Sequence, residues 1–177
     1  MKKLNRKGFT LIELLAVVVV LAVILVVIIP TVLTSVATAK SRQLQNAATE
    51  LSDWLTKQYE IKKISSSDLA TVDTRYSTFF NATGHALTTE TTNNNVTTTN
   101  YNQVTIDPSV TDAKDLMIAG GITDTTSLEG KVKLVNERIC VELTAKDSKS
   151  VFYNSEDTSK NTVYSSGCSA TDFSTQP

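Results

Sequence analysis

The chain has 177 residues, of which 41% are hydrophobic, and its 17 Lys and Arg against 18 Asp and Glu give a net charge of −1. This length is typical of one globular domain with at most a short appendage, and the lack of a basic excess argues against nucleic-acid binding. The apolar residues are unevenly distributed, because residues 14–29 contain only Leu, Ala, Val and Ile. Such a segment argues against a wholly cytosolic soluble enzyme.

The first thirty residues combine a basic tip with a long apolar stretch. Four bases and no acid occupy residues 1–8. Residues 11–29 would form about 28 Å of helix, close to the hydrocarbon thickness of a bilayer. Three interpretations compete: a cleaved secretory signal, an ordinary transmembrane anchor, or a membrane helix that stays in the mature protein after only its tip is removed. The stretch is long for a secretory signal, and no Ala-x-Ala-like site follows it.

Glu13 is the one ionisable residue of the apolar stretch. A carboxylate without a partner in lipid costs several kilocalories, so a membrane carboxylate invites a functional interpretation. The simpler alternative places Glu13 at the interface, where it reaches headgroup water. The residues around it, RKGFTLIELL at positions 6–15, favour the functional interpretation.

This sequence resembles the class III leader of type IV prepilins, in which a short basic leader ends in Gly, a Phe begins the mature chain and a Glu follows four residues later. The resemblance covers residues 2–30. It implies cleavage by prepilin peptidase between Gly8 and Phe9, N-methylation of Phe9, and an assembly role for Glu13 through pairing with the Phe9 amine of a neighbouring subunit. Pro30 falls at the helix-interrupting proline of many pilins. Many bacterial pilins also place a Gly between the Glu and the Pro, and residues 16–29 contain none.

The predicted fold class is α+β, with one long helix packed on an antiparallel sheet. After Pro30, apolar residues recur every three or four positions, which predicts an amphipathic helix to about Lys63. The resemblance implies a cleaved leader at 1–8, an apolar transmembrane and filament-core helix at 9–35, and a pilin head at 36–177. This head would include the amphipathic helix 36–63 and a C-terminal disulfide region at 140–168.

The segment between the long helix and the sheet is polar. Residues 65–68, three Ser and an Asp, predict a break and a cap for a short helix over residues 69–76. Of the fifteen residues 88–102, twelve are Thr or Asn, which predicts an exposed loop with some irregular strand character. Asn81 and Asn95 each begin a glycosylation sequon, for which a plain solvated loop is the simpler interpretation.

The C-terminal half carries signals for one helix and several strands. A short helix is predicted over residues 111–119, where Gly120 and Gly121 would end it. Alternating apolar residues predict a hairpin over residues 131–144 with its turn at Asn136 and Glu137. Residues 150–153 and 162–164 are predicted as further strands.

Cys140 and Cys168 are the only cysteines. In an exported chain two cysteines favour a disulfide, with free thiols as the alternative, and a metal site would need more ligands than the lone His85 adds. The resemblance implies that a Cys140–Cys168 bridge encloses an exposed, variable region. His85 is predicted as an exposed loop residue, and no catalytic residue, metal or cofactor is predicted.

The resemblance implies a structural subunit of a type IV pilus filament, with no enzymatic activity and no nucleic-acid partner. Its partners would be other copies in a helical filament, prepilin peptidase, the membrane assembly platform and, before assembly, the lipid bilayer. It would move from the cytoplasmic membrane to an extracellular pilus, with adhesion and twitching motility as associated roles. The alternatives are a pseudopilin of a type II secretion or DNA-uptake system and a single-span surface adhesin that never polymerises.

Overall fold

A computed structural model describes residues 9–64 and 71–174. The chain divides into two compact units, Met1–Thr38 and Ala39–Pro177. The helices and strands, in chain order, are α1 (Leu11–Ile64), α2 (Thr74–Asn81), β1 (Thr88–Asn93), β2 (Val96–Tyr101), β3 (Gln103–Ile106), α3 (Thr111–Ala119), β4 (Leu128–Val135), β5 (Arg138–Ala145), β6 (Thr162–Tyr164) and α4 (Ala170–Ser174). A short 3₁₀ helix, Thr158–Asn161, precedes β6.

The first unit consists, in its described part, of the N-terminal portion of α1. Every residue from 9 to 36 is exposed there. Because residues 14–29 are all Leu, Ala, Val or Ile, this portion presents apolar side chains on all sides of the helix. A helix that is hydrophobic all round needs an apolar environment, such as lipid or other helices.

The second unit, the head, is built on an antiparallel sheet in the order β3-β4-β5-β6. Alternate residues of β4 are buried, as expected for a strand with one face on a core. Residues 39–64 of α1 contribute to that core through fully buried Leu44, Leu51 and Leu55. Helices α2 and α3 add further buried side chains, among them Tyr76 and Leu116. The predicted α+β class and antiparallel sheet are confirmed.

Four predicted elements are confirmed: α1, α3, the β4–β5 hairpin and strand β6, which occupies the predicted residues 162–164. Helix α1 ends at Ile64, one residue beyond the predicted end, and α3 occupies the predicted residues. Gly121 follows α3 with φ 90°, a conformation that glycine adopts without strain. The β4–β5 hairpin turns at Asn136 and Glu137, both of which have positive φ, and its strands are longer than predicted.

The predicted helix over residues 69–76 is misplaced. Helix α2 begins at Thr74, because the side chain of Asp73 caps it by accepting from the Arg75 amide at 2.8 Å. The predicted break and cap at residues 65–68 lies outside the described residues.

The predicted strand over residues 150–153 is wrong. The Asp124 carboxylate accepts both from the hydroxyl of Ser150 and from the amide of Val151, each at 3.1 Å. A turn bond from the Tyr153 amide to the Ser150 carbonyl closes the segment. These bonds occupy the groups that a strand would offer to a neighbour.

The Thr- and Asn-rich segment is exposed, as predicted, but it is a regular hairpin rather than a loop. Strands β1 and β2 pair in register from Thr88–Tyr101 to Asn93–Val96 around a two-residue turn. The turn residues Asn94 and Asn95 have φ of 51° and 64°, which Asn tolerates better than most residues. Strand β3, which follows directly, carries no prediction from the sequence.

Candidate functional site

The candidate site is the start of α1, where Glu13 is the one charged residue among residues 9–36. Thr10 and Glu13 form a reciprocal pair at the helix start. The Glu13 amide donates to Thr10 Oγ1 at 3.4 Å, and the Thr10 amide donates to Glu13 Oε2 at 3.5 Å. This is the capping-box arrangement, which satisfies backbone donors that the first helical turn leaves open.

The capping box gives the Glu13 carboxylate a partner within its own chain. An acidic side chain in the first turn also interacts favourably with the positive end of the helix dipole. This role of Thr10 was not predicted from the sequence, although the Thr-x-x-Glu spacing is the signal for it. Phe9 lies immediately before the pair, and Gly8 lies outside the described residues.

Helix α1 continues through Pro30 without interruption. Proline has no amide hydrogen, so the carbonyl of Val26 lacks its usual helical donor. In the next two turns the hydroxyls of Thr31, Ser35 and Thr38 each donate to the carbonyl four residues earlier, at 2.8–3.1 Å. Such side-chain bonds compete with the helical backbone bonds. An interruption at Pro30 inside a filament remains a prediction.

In the head, a disulfide joins Cys140 in β5 to Cys168 in the C-terminal segment. Ser165, just after β6, holds this segment further: its amide donates to the Val141 carbonyl at 2.8 Å, and its hydroxyl accepts from the Val141 amide at 3.1 Å. Helix α4 follows, and its Phe173 ring packs on Tyr164 with centroids 5.8 Å apart. Neither α4 nor this aromatic contact was predicted from the sequence.

Ser165 covers the β5 edge at Val141, and α1 closes the same edge at Ile139. The hydroxyl of Ser52 donates to the carbonyl of Ile139 at 2.5 Å, and the amide of Ile139 donates to Thr56 Oγ1 at 3.0 Å. Ser52 is fully buried. A strand edge with open backbone groups is a template for further pairing, and these two hydroxyls close it.

Within residues 9–64 and 71–174, no group of three or more His, Cys, Asp or Glu could hold a metal ion. His85 is half-buried rather than exposed, because its ring packs on Phe79 and its Nδ1 lies 3.1 Å from the Phe79 carbonyl. A half-open cavity of about 520 Å³ lies nearby, lined by Tyr59, Lys62 and Phe80 among others.

Comparison with known proteins matches residues 3–29 to the prokaryotic N-terminal methylation motif, the class III signal of type IV pilins. The predicted resemblance is therefore confirmed for this segment. Searches of the curated proteins and of the solved structures gave no match to the chain. Length and composition make α1 the one described helix able to cross a membrane. The motif thus supports a type IV pilin-like or pseudopilin protein that is anchored in the membrane before assembly.

Proposed function

We propose that the chain is a structural subunit of a type IV pilus filament and has no enzymatic activity. The observation that carries the proposal is the segment 9–36, which is exposed throughout, apolar on all sides over residues 14–29, and charged only at Glu13, within a chain that carries the N-terminal methylation motif. An apolar helix of this kind needs a bilayer before assembly and other apolar helices afterwards. A filament core provides the second environment.

In this proposal, prepilin peptidase removes residues 1–8, and the new amine at Phe9 is N-methylated. Residues 9–35 then span the cytoplasmic membrane, while residues 36–177 form the head outside it. At the assembly platform the helix leaves the lipid and joins the helices of other copies. The head, with the region 140–168 that the disulfide closes, becomes the surface of an extracellular pilus.

Glu13 sets the alignment of neighbouring subunits in this proposal. The carboxylate is anionic and the Phe9 amine is cationic, and a buried charge without a partner is strongly disfavoured. An incoming subunit is therefore most stable where its Glu13 meets the Phe9 amine of its neighbour. The amine competes for Glu13 with the Thr10 amide, which binds the carboxylate within the chain.

The first experiment is mass spectrometry of sheared surface filaments. We expect an abundant mature chain that begins at N-methylated Phe9. An intact Met1 terminus, or a terminus beyond Pro30, would contradict the proposal and favour a single-span adhesin or a secreted protein.

Gly8→Val should leave unprocessed chain in the membrane. Short pseudopili that appear only on overexpression, in place of surface filaments, would favour the pseudopilin.

The second experiment separates the charge of Glu13 from its capping role. Glu13→Gln keeps a side chain that can accept from the Thr10 amide but removes the charge, whereas Glu13→Ala removes both. Because the proposed partner is a cation, both variants should be processed and inserted but should enter filaments poorly. Glu50→Ala, on an exposed head position of the same helix, is the matched control and should assemble normally. Normal filament yield from Glu13→Gln would refute the charge pairing.

A further inference from the structure

The hairpin of β1 and β2, called the ribbon below, stands apart from the four-stranded sheet. In the described part of the chain its two strands pair only with each other. Ten of its twelve strand residues are exposed. A two-stranded hairpin alone is marginally stable in water and gains from additional strands.

The register shows which backbone groups of the ribbon are open. The amide of Asn102 donates to the carbonyl of Leu87 at 2.8 Å, directly beyond the last pair of the ladder. In an antiparallel pair, hydrogen-bonded positions alternate, so the bonded pairs continue at every second residue towards the turn. The amides and carbonyls of Glu90 and Thr92 therefore point outward from β1, and those of Thr97 and Thr99 point outward from β2.

The two outer edges carry none of the devices that usually block strand addition. Residues 88–101 include no Lys, Arg or Pro, and their one charge is Glu90. Threonine, the commonest residue of the ribbon, favours extended strands. By contrast, the part of the β5 edge that β6 leaves unpaired is closed by Ser52, Thr56 and Ser165. Unblocked edges of this kind are templates for another strand.

We propose that the outer edge of β1 in one copy pairs with the outer edge of β2 in the next copy along a filament. This rests on the proposed function, because it needs copies side by side. Pairing of β1 with β1 would bring two Glu90 carboxylates together, whereas the edge of β2 carries no charge. Pairing of unlike edges is a head-to-tail contact, which extends indefinitely and suits a filament rather than a closed dimer.

Amide hydrogen exchange tests the pairing on the full-length mature chain. The exchange of Thr97 and Thr99 is compared between intact filaments and subunits dissolved in detergent. Their outward amides should exchange at least tenfold more slowly in filaments. The inward amide of Thr98 is the internal control, since its bond within the ribbon is present in both states. Equal rates for Thr97 and Thr99 in the two states would overturn the proposal.

A substitution at the same edge provides a second test. Thr99→Pro removes the outward amide hydrogen, whereas Thr99→Ala changes the side chain and keeps it. Filaments of Thr99→Pro should release subunits at a lower temperature than those of Thr99→Ala. Equal stability of the two filaments would overturn the ribbon pairing and leave the proposed pilus function intact. Absence of the native chain from any filament would overturn both.

Discussion

Removal of the disulfide tests how the C-terminal segment of the head is held. Cys140 and Cys168 are 28 residues apart in sequence. On the loop-entropy model, closing a loop of that length stabilises the folded chain by about 3.6 kcal/mol at 25 °C. For a head of roughly 140 residues, the typical unfolding entropy converts this into a decrease of about 12 °C in Tm. The double substitution of Cys140→Ala and Cys168→Ala should show this decrease in Tm.

The assay is thermal unfolding of the detergent-solubilised chain, followed by near-ultraviolet circular dichroism and by limited proteolysis. New cleavage should appear after Ser165, because the pairing of β6 with β5 remains while the segment that carries Cys168 loses its covalent tie. The native chain treated with a reducing agent should match the variant, and the variant should not respond to reduction. A decrease in Tm below about 3 °C with an unchanged protease pattern would show that noncovalent contacts hold the segment.

Two further predictions concern single side chains of the head. Ser52→Ala should lower the free energy of unfolding by about 1–3 kcal/mol, because it leaves the Ile139 carbonyl buried without its donor, and urea unfolding should show a smaller loss for the more exposed Thr49→Ala. Asp73→Ala should lower the free energy of unfolding by about 1 kcal/mol at pH 7. Asp73→Asn keeps the cap and should lower it by less. The hydrogen bond from the Arg75 side chain lowers the pKa of Asp73 below its usual 3.8, so the carboxylate stabilises the head above about pH 4 and the effect is lost as the pH falls through the lowered pKa. Thermal unfolding between pH 7 and pH 2 should therefore bring the native chain and Asp73→Asn together at the acid end, because a protonated Asp73 keeps the cap without its charge.

The elements that could be predicted from the sequence are those with local signals. The repeat of apolar residues every three or four positions predicted α1, and the paired glycines marked the end of α3. The β4–β5 hairpin has a two-residue turn between alternating strands, which is also a local pattern. Each signal lies within a few residues of the element that it defines, so a single sequence contains all of the information.

Other features depend on partners that are distant in sequence. The segment 150–153 has the composition of a strand, but Asp124, more than twenty-five residues earlier, binds its backbone. The closure of the β5 edge joins Ser52 to a residue 87 positions later. No periodicity or turn residue indicates such pairs.

At the candidate site, too, the features with a local sequence signal could be predicted and those that depend on the fold could not. Gly8, Phe9 and Glu13 lie within six consecutive positions, and their spacing alone identified the motif that the family comparison confirmed. The Thr10 cap is part of that short segment and was visible in principle. Which edges of the head remain open, by contrast, depends on the folded arrangement of α1, the sheet and the ribbon.

The two hydroxyls that close the β5 edge also fix one alignment of the helix along the sheet. Ser52 and Thr56 are one helical turn apart and bind the carbonyl and the amide of the same residue, Ile139. The apolar residues of this part of α1 repeat every turn, so a slide by one turn would preserve much of the hydrophobic contact. A slide in one direction would bring Ala48 to the donor position and leave the Ile139 carbonyl buried without a partner, whereas a slide in the other would bring the Glu60 carboxylate to a part-buried position. The misaligned packing is thereby disfavoured, and the native one is separated from it by an energy gap that apolar contacts alone would not provide.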